Sequence, residues 1–395
     1  MFDLHRSPYF TDYLYYPTGV SLRFHTLNPL NGLLTLPFNQ TIGYIPTFNL
    51  FQAATLVITL FCMFLFLRDF VGNVWAAFAG AAVYTYANEL IVIYFTLGQP
   101  EKLSRQWLPL YFLFLFRALH GHPVWSNDGQ IIRRDTRRWP MNAALAILVL
   151  LAMSFVDWQY VMFAVFTTLL YAILLLLTGR TIRDKARLFG KMAAIGGIYA
   201  AIVVVPLLIP MVLELQANPW LNVSGQAADR SIPLDRLLGF GTGNPGYLAF
   251  ALAALGLLVA WRAKGATREI ALFWTIASLF FYVMALGPDL IWNVHPTGIT
   301  LPYAPLQTLP VLSVSRDPGR YSTVALLGIA VLSAFGIRAV LAHLDRWIGS
   351  GRSALLSAAL VAAFVAMTRS SKKKAHEVFP GRGIVAFMIR CVIVI

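Results

Sequence analysis

Nine long apolar segments, nearly free of charged residues, constrain the fold of this chain more than any other feature. They lie at residues 48–67, 74–96, 106–118, 140–156, 159–178, 189–213, 246–261, 269–287 and 321–341, with an Ala-rich tenth at 353–368. A transmembrane helix needs about 20 apolar residues, and lipid offers no hydrogen-bond partner to backbone that is not helical. We therefore expect an all-α fold, a polytopic transmembrane helix bundle of nine or ten spans.

The composition points to the same class of protein. Of the 395 residues, 58% are hydrophobic and only 12% are charged, whereas a soluble domain carries about a quarter charged residues. We assign the net charge of +14 to cytoplasmic loops and not to a nucleic-acid partner. Cys62 lies in an apolar segment and Cys391 in the tail, so a disulfide framework is not expected.

The basic residues predict how the chain crosses the membrane. The third segment is short, since its run from Trp107 to Phe116 covers only part of a ~30 Å hydrocarbon core. It still crosses if Arg105 and Arg117 extend toward opposite interfaces. With residues 1–47 outside, the inward loops hold sixteen Lys and Arg and the outward loops eight, which follows the positive-inside rule. The long outward-facing loops are then 1–47, 214–245 and 288–320.

Three regions follow from this topology. Residues 1–47 form an outward aromatic and Pro-rich segment, 48–345 the transmembrane helical domain, and 346–395 a basic tail with a possible further span. An outward N-terminal segment of this length carries no signal peptide, and Lys372 to Lys374 fall on the outward side. We therefore expect the chain to be an internal fragment of a longer protein.

The N-terminal segment combines aromatic rings with single polar groups. Asp12, Tyr16, His25 and Asn28 lie in a stretch rich in Tyr and Pro. Aromatic faces that pack on sugar rings, with polar groups on the hydroxyls, make a carbohydrate-binding surface. The alternative is an interfacial loop whose tyrosines lie among the lipid headgroups.

Several short motifs carry a resemblance to a known family. They are Tyr16-Pro17-Thr18-Gly19 with Leu22, His25 and Pro29; Gly98-Gln99 before Trp107-Leu108-Pro109-Leu110; and Leu309-Pro310 before Arg316-Asp317-Pro318-Gly319-Arg320. In this order they resemble bacterial multi-spanning proteins of the GT-C glycosyltransferase type, including YfhO-like members. The resemblance covers roughly residues 8–345.

The resemblance implies an activity, a partner and a location. GT-C enzymes transfer a sugar from a polyprenyl-phosphate donor at the outer face of the bacterial cytoplasmic (inner) membrane. Their catalytic acid usually follows a first helix that this chain lacks, which leaves Asp12, Glu101 and Asp157 as candidates to take the proton from the acceptor hydroxyl. Cationic side chains or a divalent cation, Mg²⁺ or Mn²⁺, would stabilise the phosphate leaving group.

The run from Arg316 to Arg320 is the sharpest candidate site. Pro318 favours the first helical position and Asp317 the N-cap, so a helix is predicted to begin here. A helix N-terminus flanked by Arg316 and Arg320 suits a lipid phosphate. In the alternative interpretation, Asp317 caps the helix and neutralises both arginines.

Other polar residues near the segment ends have weaker claims. Asp157 precedes Trp158 in a turn between two spans, where it is either a sugar contact or part of a simple turn. Glu101 is a second candidate, or a solvated partner of Lys102. Glu89 lies inside an apolar segment, where ionisable residues are costly and often functional. His120 and His122 have no further ligands close by in the sequence, so no metal site is expected there.

These observations favour a membrane glycosyltransferase of GT-C type. Two alternatives stay open, a transporter or flippase for a lipid or lipid-linked saccharide and a non-catalytic membrane scaffold. Inverted repeats and broken helices would favour the transporter. No clear repeat is present, although Pro206 and Pro210 interrupt one segment.

Overall fold

Helices make up most of the computed structural model, which describes residues 9–23, 28–86, 93–95, 97–125, 131–218, 230–239, 241, 243–263, 265–308 and 317–348. The helices are α1 Pro29–Ile42, α2 Tyr44–Val71, α3 Val74–Tyr86, α4 Pro100–Leu103, α5 Trp107–His120, α6 Trp139–Ser154, α7 Trp158–Leu176, α8 Ile182–Val203, α9 Ile209–Ala217, α10 Leu234–Leu238, α11 Tyr247–Arg262, α12 Ala266–Ala285, α13 Tyr303–Leu306 and α14 Ser322–Ile348. Each of the nine predicted segments contains one of these helices. The tenth, 353–368, lies outside the described residues.

Five of the helical stretches are long and apolar enough to cross a membrane. They are Tyr44–Val71, Trp158–Leu176, Ile182–Ala217, Ala266–Ala285 and Pro318–Arg346. Shorter apolar helices occur at Val74–Tyr86, Trp139–Ser154 and Tyr247–Arg262. Helix α5 has 14 residues and therefore a length of about 21 Å. The predicted membrane class is thus supported by several apolar helices.

The helix from residue 182 to 217 differs from the predicted segment 189–213 at both ends. It begins earlier because Thr181 caps it, with the Thr181 hydroxyl accepting the Asp184 amide at 3.2 Å. The charged residues of this first turn hid the helix from a search for apolar runs. Pro206 does not break the helix as predicted, since a π-helical turn, Val204–Leu208, accommodates it.

The prediction that residues 1–47 are only a loop is wrong, because α1 lies within them. Pro29 occupies the first helical position, where its missing amide proton costs nothing. The helix carries no charged residue and exposes Leu33, Leu34 and Phe38. Its first turn is tied to the bundle, since the Leu30 amide donates to the Phe155 carbonyl at 3.1 Å.

Three short antiparallel hairpins correct the all-α prediction. Strand β1 Phe10–Thr11 pairs with β2 Val20–Ser21, β3 His122–Trp125 with β4 Ile131–Asp135, and β5 Asp289–Trp292 with β6 His295–Thr300. Between β5 and β6, Asn293 and Val294 both have positive φ, 47° and 69°, as a tight hairpin turn requires. Strands this short leave little alternation to read in the sequence.

Helix α14 forms the centre of the bundle and packs on α2, α3, α11 and α12. Small residues allow the closest of these contacts. A Cβ added to Gly256 would collide with the Leu332 carbonyl, and one added to Gly336 with the Leu252 carbonyl. The α11–α14 crossing is therefore a backbone-to-backbone contact that only glycine permits.

Charged side chains gather at the two opposite ends of α5. At its C-terminal end, Arg117 binds Asp69 through two hydrogen bonds of 2.6 and 2.9 Å. Arg134 donates to the Asp69 carbonyl at 3.2 Å, and Lys191 to the Ala118 carbonyl at 2.6 Å. The second group of charges lies at the N-terminal end of α5.

Candidate functional site

Three separate parts of the chain meet at the N-terminal end of α5. They are the segment around α4, the turn between α6 and α7, and the 3₁₀ turn Pro318–Tyr321 that leads into α14. Together they bring five charged residues to one end of the bundle, two of them acidic and three basic. We call this set the charge cluster: Lys102, Arg105, Asp157, Asp317 and Arg320.

Asp157 and Arg320 form a buried ion pair. The Arg320 guanidinium donates to the Asp157 carboxylate at 2.6 Å, and both side chains are buried. Asp157 is also the N-cap of α7, because its carboxylate accepts the Gln159 amide at 2.9 Å. The guanidinium carbon of Arg320 lies 5.5 Å from the centre of the Tyr160 ring, within cation–π distance. Asp157 therefore both neutralises Arg320 and starts a helix.

Asp317 forms the second ion pair of the charge cluster. Its carboxylate lies 3.1 Å from the Lys102 ammonium, and it makes no side-chain capping hydrogen bond. The predicted helix start at Pro318 is confirmed, but the predicted capping by Asp317 is wrong, because the cation is the stronger partner. The pairing of Glu101 with Lys102 is likewise replaced by the Asp317–Lys102 pair.

Neutral hydrogen bonds hold the same three segments in place. The Gln159 side chain donates to the Asp317 carbonyl at 3.1 Å, and the Tyr160 hydroxyl donates to the Lys102 carbonyl at 2.8 Å. These bonds fix the start of α7 against both the α4 segment and the entry to α14. The charge cluster is therefore a rigid junction.

Glu101 lies in α4, next to the charge cluster. Partial burial raises the pKa of its carboxyl, and the neighbouring Asp157 carboxylate raises the pKa further, while Arg320 and Lys102 oppose the shift. No ion pair to Glu101 occurs within the described ranges. A carboxyl group with a raised pKa and no fixed cation is suited to take or give a proton.

Arg105 is a member of the charge cluster that the sequence analysis assigned only to topology. Its side chain is 1% exposed. In the described part of the chain, none of its three guanidinium nitrogens has a hydrogen-bond partner. The Tyr94 ring lies between two cations, 6.0 Å from the guanidinium carbon of Arg105 and 5.0 Å from the Lys102 ammonium.

The predicted N-terminal site residues are only partly brought toward this cluster. Tyr16 is 85% exposed in the turn of the β1–β2 hairpin, which also contains Asp12. Asn28 precedes α1 with a positive φ of 49° and caps nothing with its side chain. Through α1, however, the Asn31 amide donates to the Ser104 hydroxyl at 3.0 Å, beside Arg105.

Three of the predicted site residues lie outside the described residues: His25, Glu89 and Arg316. Their predicted roles stay predictions. Of the Arg316–Arg320 motif, the described residues are Asp317, Pro318, Gly319 and Arg320. In that part of the motif the Arg320 charge is already matched by Asp157, so Arg320 alone offers little attraction to a phosphate.

The donor set at the charge cluster does not suit a divalent cation. Mg²⁺ and Mn²⁺ prefer carboxylate oxygens, but Asp157 is bonded to Arg320 and Asp317 to Lys102. Across the described ranges, no three His, Cys, Asp or Glu side chains are grouped as metal ligands would be. We therefore derive no step through a metal ion.

The chain stands apart from proteins of known function. Comparison with known protein families, with characterised proteins and with solved structures found no match to any of them. Any functional assignment therefore depends on the residues themselves. The charge cluster and Glu101 are the strongest basis for one.

Proposed function

We propose that the chain is a multi-pass protein of the bacterial inner membrane, with nine or ten spans, that transfers a sugar from a polyprenyl-phosphate donor. The charge cluster would lie at the outer face. The loop charges support this orientation, since loops on the side of the cluster carry eight basic residues and those on the opposite side sixteen. The GT-C resemblance of the short motifs supports the reaction class.

The observation that carries the proposal is the position of Glu101 beside buried cations. An acceptor hydroxyl would lose its proton to the Glu101 carboxylate as its oxygen attacks the anomeric carbon of the donor sugar. The bond between that carbon and the phosphate oxygen breaks, and the phosphate leaves with the electron pair. Lys102 and Arg105 are close enough to each other, across Tyr94, to stabilise that charge.

Asp157 and Asp12 are weaker candidates for the base. The Asp157 carboxylate already accepts hydrogen bonds from Arg320 and from the Gln159 amide, so its charge is committed to structure. Asp12 lies in the N-terminal hairpin with the exposed rings of Tyr13 and Tyr16. That hairpin better suits the binding of an acceptor saccharide by stacking.

Sugar transfer in proteoliposomes tests the proposal. The purified chain is supplied with a polyprenyl-phosphate-linked radiolabelled sugar and a mixture of saccharide acceptors. Transfer is expected, and Glu101→Gln should lower its rate roughly 100-fold or more, the usual contribution of a general base. Glu269→Gln is the matched control, because Glu269 pairs with Arg180 at the other end of the bundle. No transfer, or equal rates for the Glu101 variant and the control, would contradict the proposal.

A flippase for the same kind of lipid is the second candidate. Its support is an apolar groove of about 410 Å³ on α2 and α3, lined by Val57, Ile58, Leu60, Phe61, Phe64 and Phe78. Ile58 and Phe61 are exposed there, so the groove suits a lipid chain that enters from the bilayer. The π-helical turn at Val204–Leu208 is a further break of the kind that transporters use.

The same proteoliposomes separate the candidates. A fluorescent polyprenyl-phosphate lipid that becomes accessible to an external quencher, without sugar transfer, would identify a flippase. Transfer without lipid movement would identify the glycosyltransferase. Neither activity would leave a non-catalytic scaffold.

A further inference from the structure

Arg105 poses an electrostatic problem that the described residues do not solve. Its three guanidinium nitrogens are shielded from solvent and accept no partner among the described side chains and carbonyls. A guanidinium cannot shed its proton at any pH that the protein survives. A buried charge without a counter-charge is strongly destabilising, so an anion is needed at this position.

The carboxylates nearest in the charge cluster are already used. Asp157 is bonded to Arg320 at 2.6 Å and Asp317 to Lys102 at 3.1 Å. Three cations of the cluster therefore face two committed carboxylates. The excess of one positive charge belongs to Arg105.

The turn that carries Arg105 is fixed from several sides. The Ser104 hydroxyl accepts the Asn31 amide at 3.0 Å, and Gln106 is hydrogen-bonded to the Thr59 hydroxyl at 3.3 Å. The Tyr84 hydroxyl donates to the Arg105 carbonyl at 3.3 Å. Because its backbone is held in this way, the guanidinium is preorganised for a ligand and pays little entropy on binding.

Unused polar atoms on the same segments indicate what else the ligand carries. The side-chain oxygens of Asn31 and Gln99 are buried without a partner in the described part of the chain, as is the indole nitrogen of Trp107. Asn31 contacts the turn directly, and Gln99 and Trp107 flank it in sequence. Oxygen acceptors of this kind suit hydroxyl groups, whereas the guanidinium suits a phosphate.

We propose that Arg105 binds the phosphate of a phosphate ester whose hydroxyl groups meet the unused amide oxygens, as in a sugar phosphate. The proposal deepens the proposed function and rests on it for the choice of a lipid-linked donor. Arg105, and not Arg320, is then the residue that recognises the phosphate. Lys102 supports it across the Tyr94 ring.

Thermal unfolding of the ligand-free protein gives the first test. If Arg105 is unpaired without ligand, Arg105→Gln removes an uncompensated buried charge, and the Tm should rise. Arg236→Gln, which alters an exposed arginine in α10, is the control and should leave the Tm unchanged. A lower Tm for Arg105→Gln would mean that the chain supplies its own counter-charge. It would overturn the proposal, most directly if Glu89→Gln lowered the Tm equally.

Binding gives the second test, in phosphatidylcholine nanodiscs and with three probes: a long-chain polyprenyl phosphate, the corresponding uncharged polyprenol, and inorganic phosphate. The lipid phosphate should bind more tightly than the polyprenol, and Arg105→Gln should weaken it roughly 10- to 100-fold. Arg105→Lys should recover only part of the affinity, because it keeps the charge but loses the fork. Competition by inorganic phosphate would show that the site reads the phosphate alone.

Equal affinity of Arg105→Gln and the parent protein for the lipid phosphate would overturn the proposal. The result is independent of the transfer assay. Phosphate-dependent binding without sugar transfer would remove the proposed enzyme activity and leave the anion site in place. Transfer that survives Arg105→Gln unchanged would do the reverse.

Discussion

Breaking the Asp157–Arg320 pair should cost stability in a way that depends on which partner is removed. Asp157→Asn keeps a good N-cap residue for α7 but leaves the Arg320 guanidinium buried and charged. Loss of one partner of a buried pair typically costs about 3–5 kcal/mol. Because a guanidinium cannot lose its proton, this cost should be the same at pH 5 and pH 7.

Arg320→Met should behave differently, because a carboxyl group left alone can take up a proton. Protonating an ordinary aspartic acid costs about 4 kcal/mol at pH 7 and about 1.5 kcal/mol at pH 5. These values set the upper limit of the destabilisation by Arg320→Met at each pH. The double variant, Asp157→Asn with Arg320→Met, buries no unpaired charge and should be more stable than the sum of the two single effects predicts, by about 2 kcal/mol or more.

Equilibrium unfolding in mixed detergent micelles, followed by circular dichroism, measures these free energies. The account requires that the cost of Arg320→Met falls between pH 7 and pH 5 while the cost of Asp157→Asn does not. Additive single effects, or two single effects below about 1 kcal/mol, would refute the description of this pair as buried and coupled.

Three further outcomes follow from other parts of the molecule. Gly256→Ala should lower stability by about 1–3 kcal/mol through overpacking of the α11–α14 crossing, whereas Gly197→Ala, with open space around it, should not; thermal unfolding compares the two. The rate of sugar transfer should rise with pH through a limb above the ordinary glutamate range, since the pKa of Glu101 is raised, and Glu101→Gln should abolish that limb in a pH–rate profile. Cysteines placed at Asn127 and Gly225 should be labelled from opposite sides of the membrane, and labelling of both from one side would contradict the proposed topology.

The helices were predictable because their signal is local. Each predicted apolar segment contains a helix, since burial in lipid selects long apolar runs regardless of what they pack against. The misjudged boundaries are those where polar residues begin a helix, as Thr181 does for α8. The hairpins escaped prediction because pairing over two to six residues leaves no periodicity.

The charge cluster was predictable in its members but not in its pairings. Asp157, Asp317 and Arg320 were selected from local motifs, yet Asp157 and Arg320 lie 163 residues apart in sequence. Local capping rules assigned Asp317 to Pro318. The three-dimensional fold instead brought an ammonium group to it from Lys102, 215 residues away.

Arg105 was overlooked because a membrane argument explained it too easily. An arginine at the end of a short apolar segment is expected to extend toward water. The first turn of α1 packs against the Arg105 turn through the Asn31–Ser104 hydrogen bond, and the sequence analysis had treated that region as a loop. Without α1, nothing in the sequence indicates that the guanidinium is enclosed.

A density map of the chain in lipid nanodiscs that contain a long-chain polyprenyl phosphate tests the central claim most directly. The account predicts phosphate density within hydrogen-bond distance of the Arg105 guanidinium, with the Asp157–Arg320 pair intact beside it. A map in which Arg105 instead binds a carboxylate of the chain, with no phosphate at the charge cluster, would contradict the account.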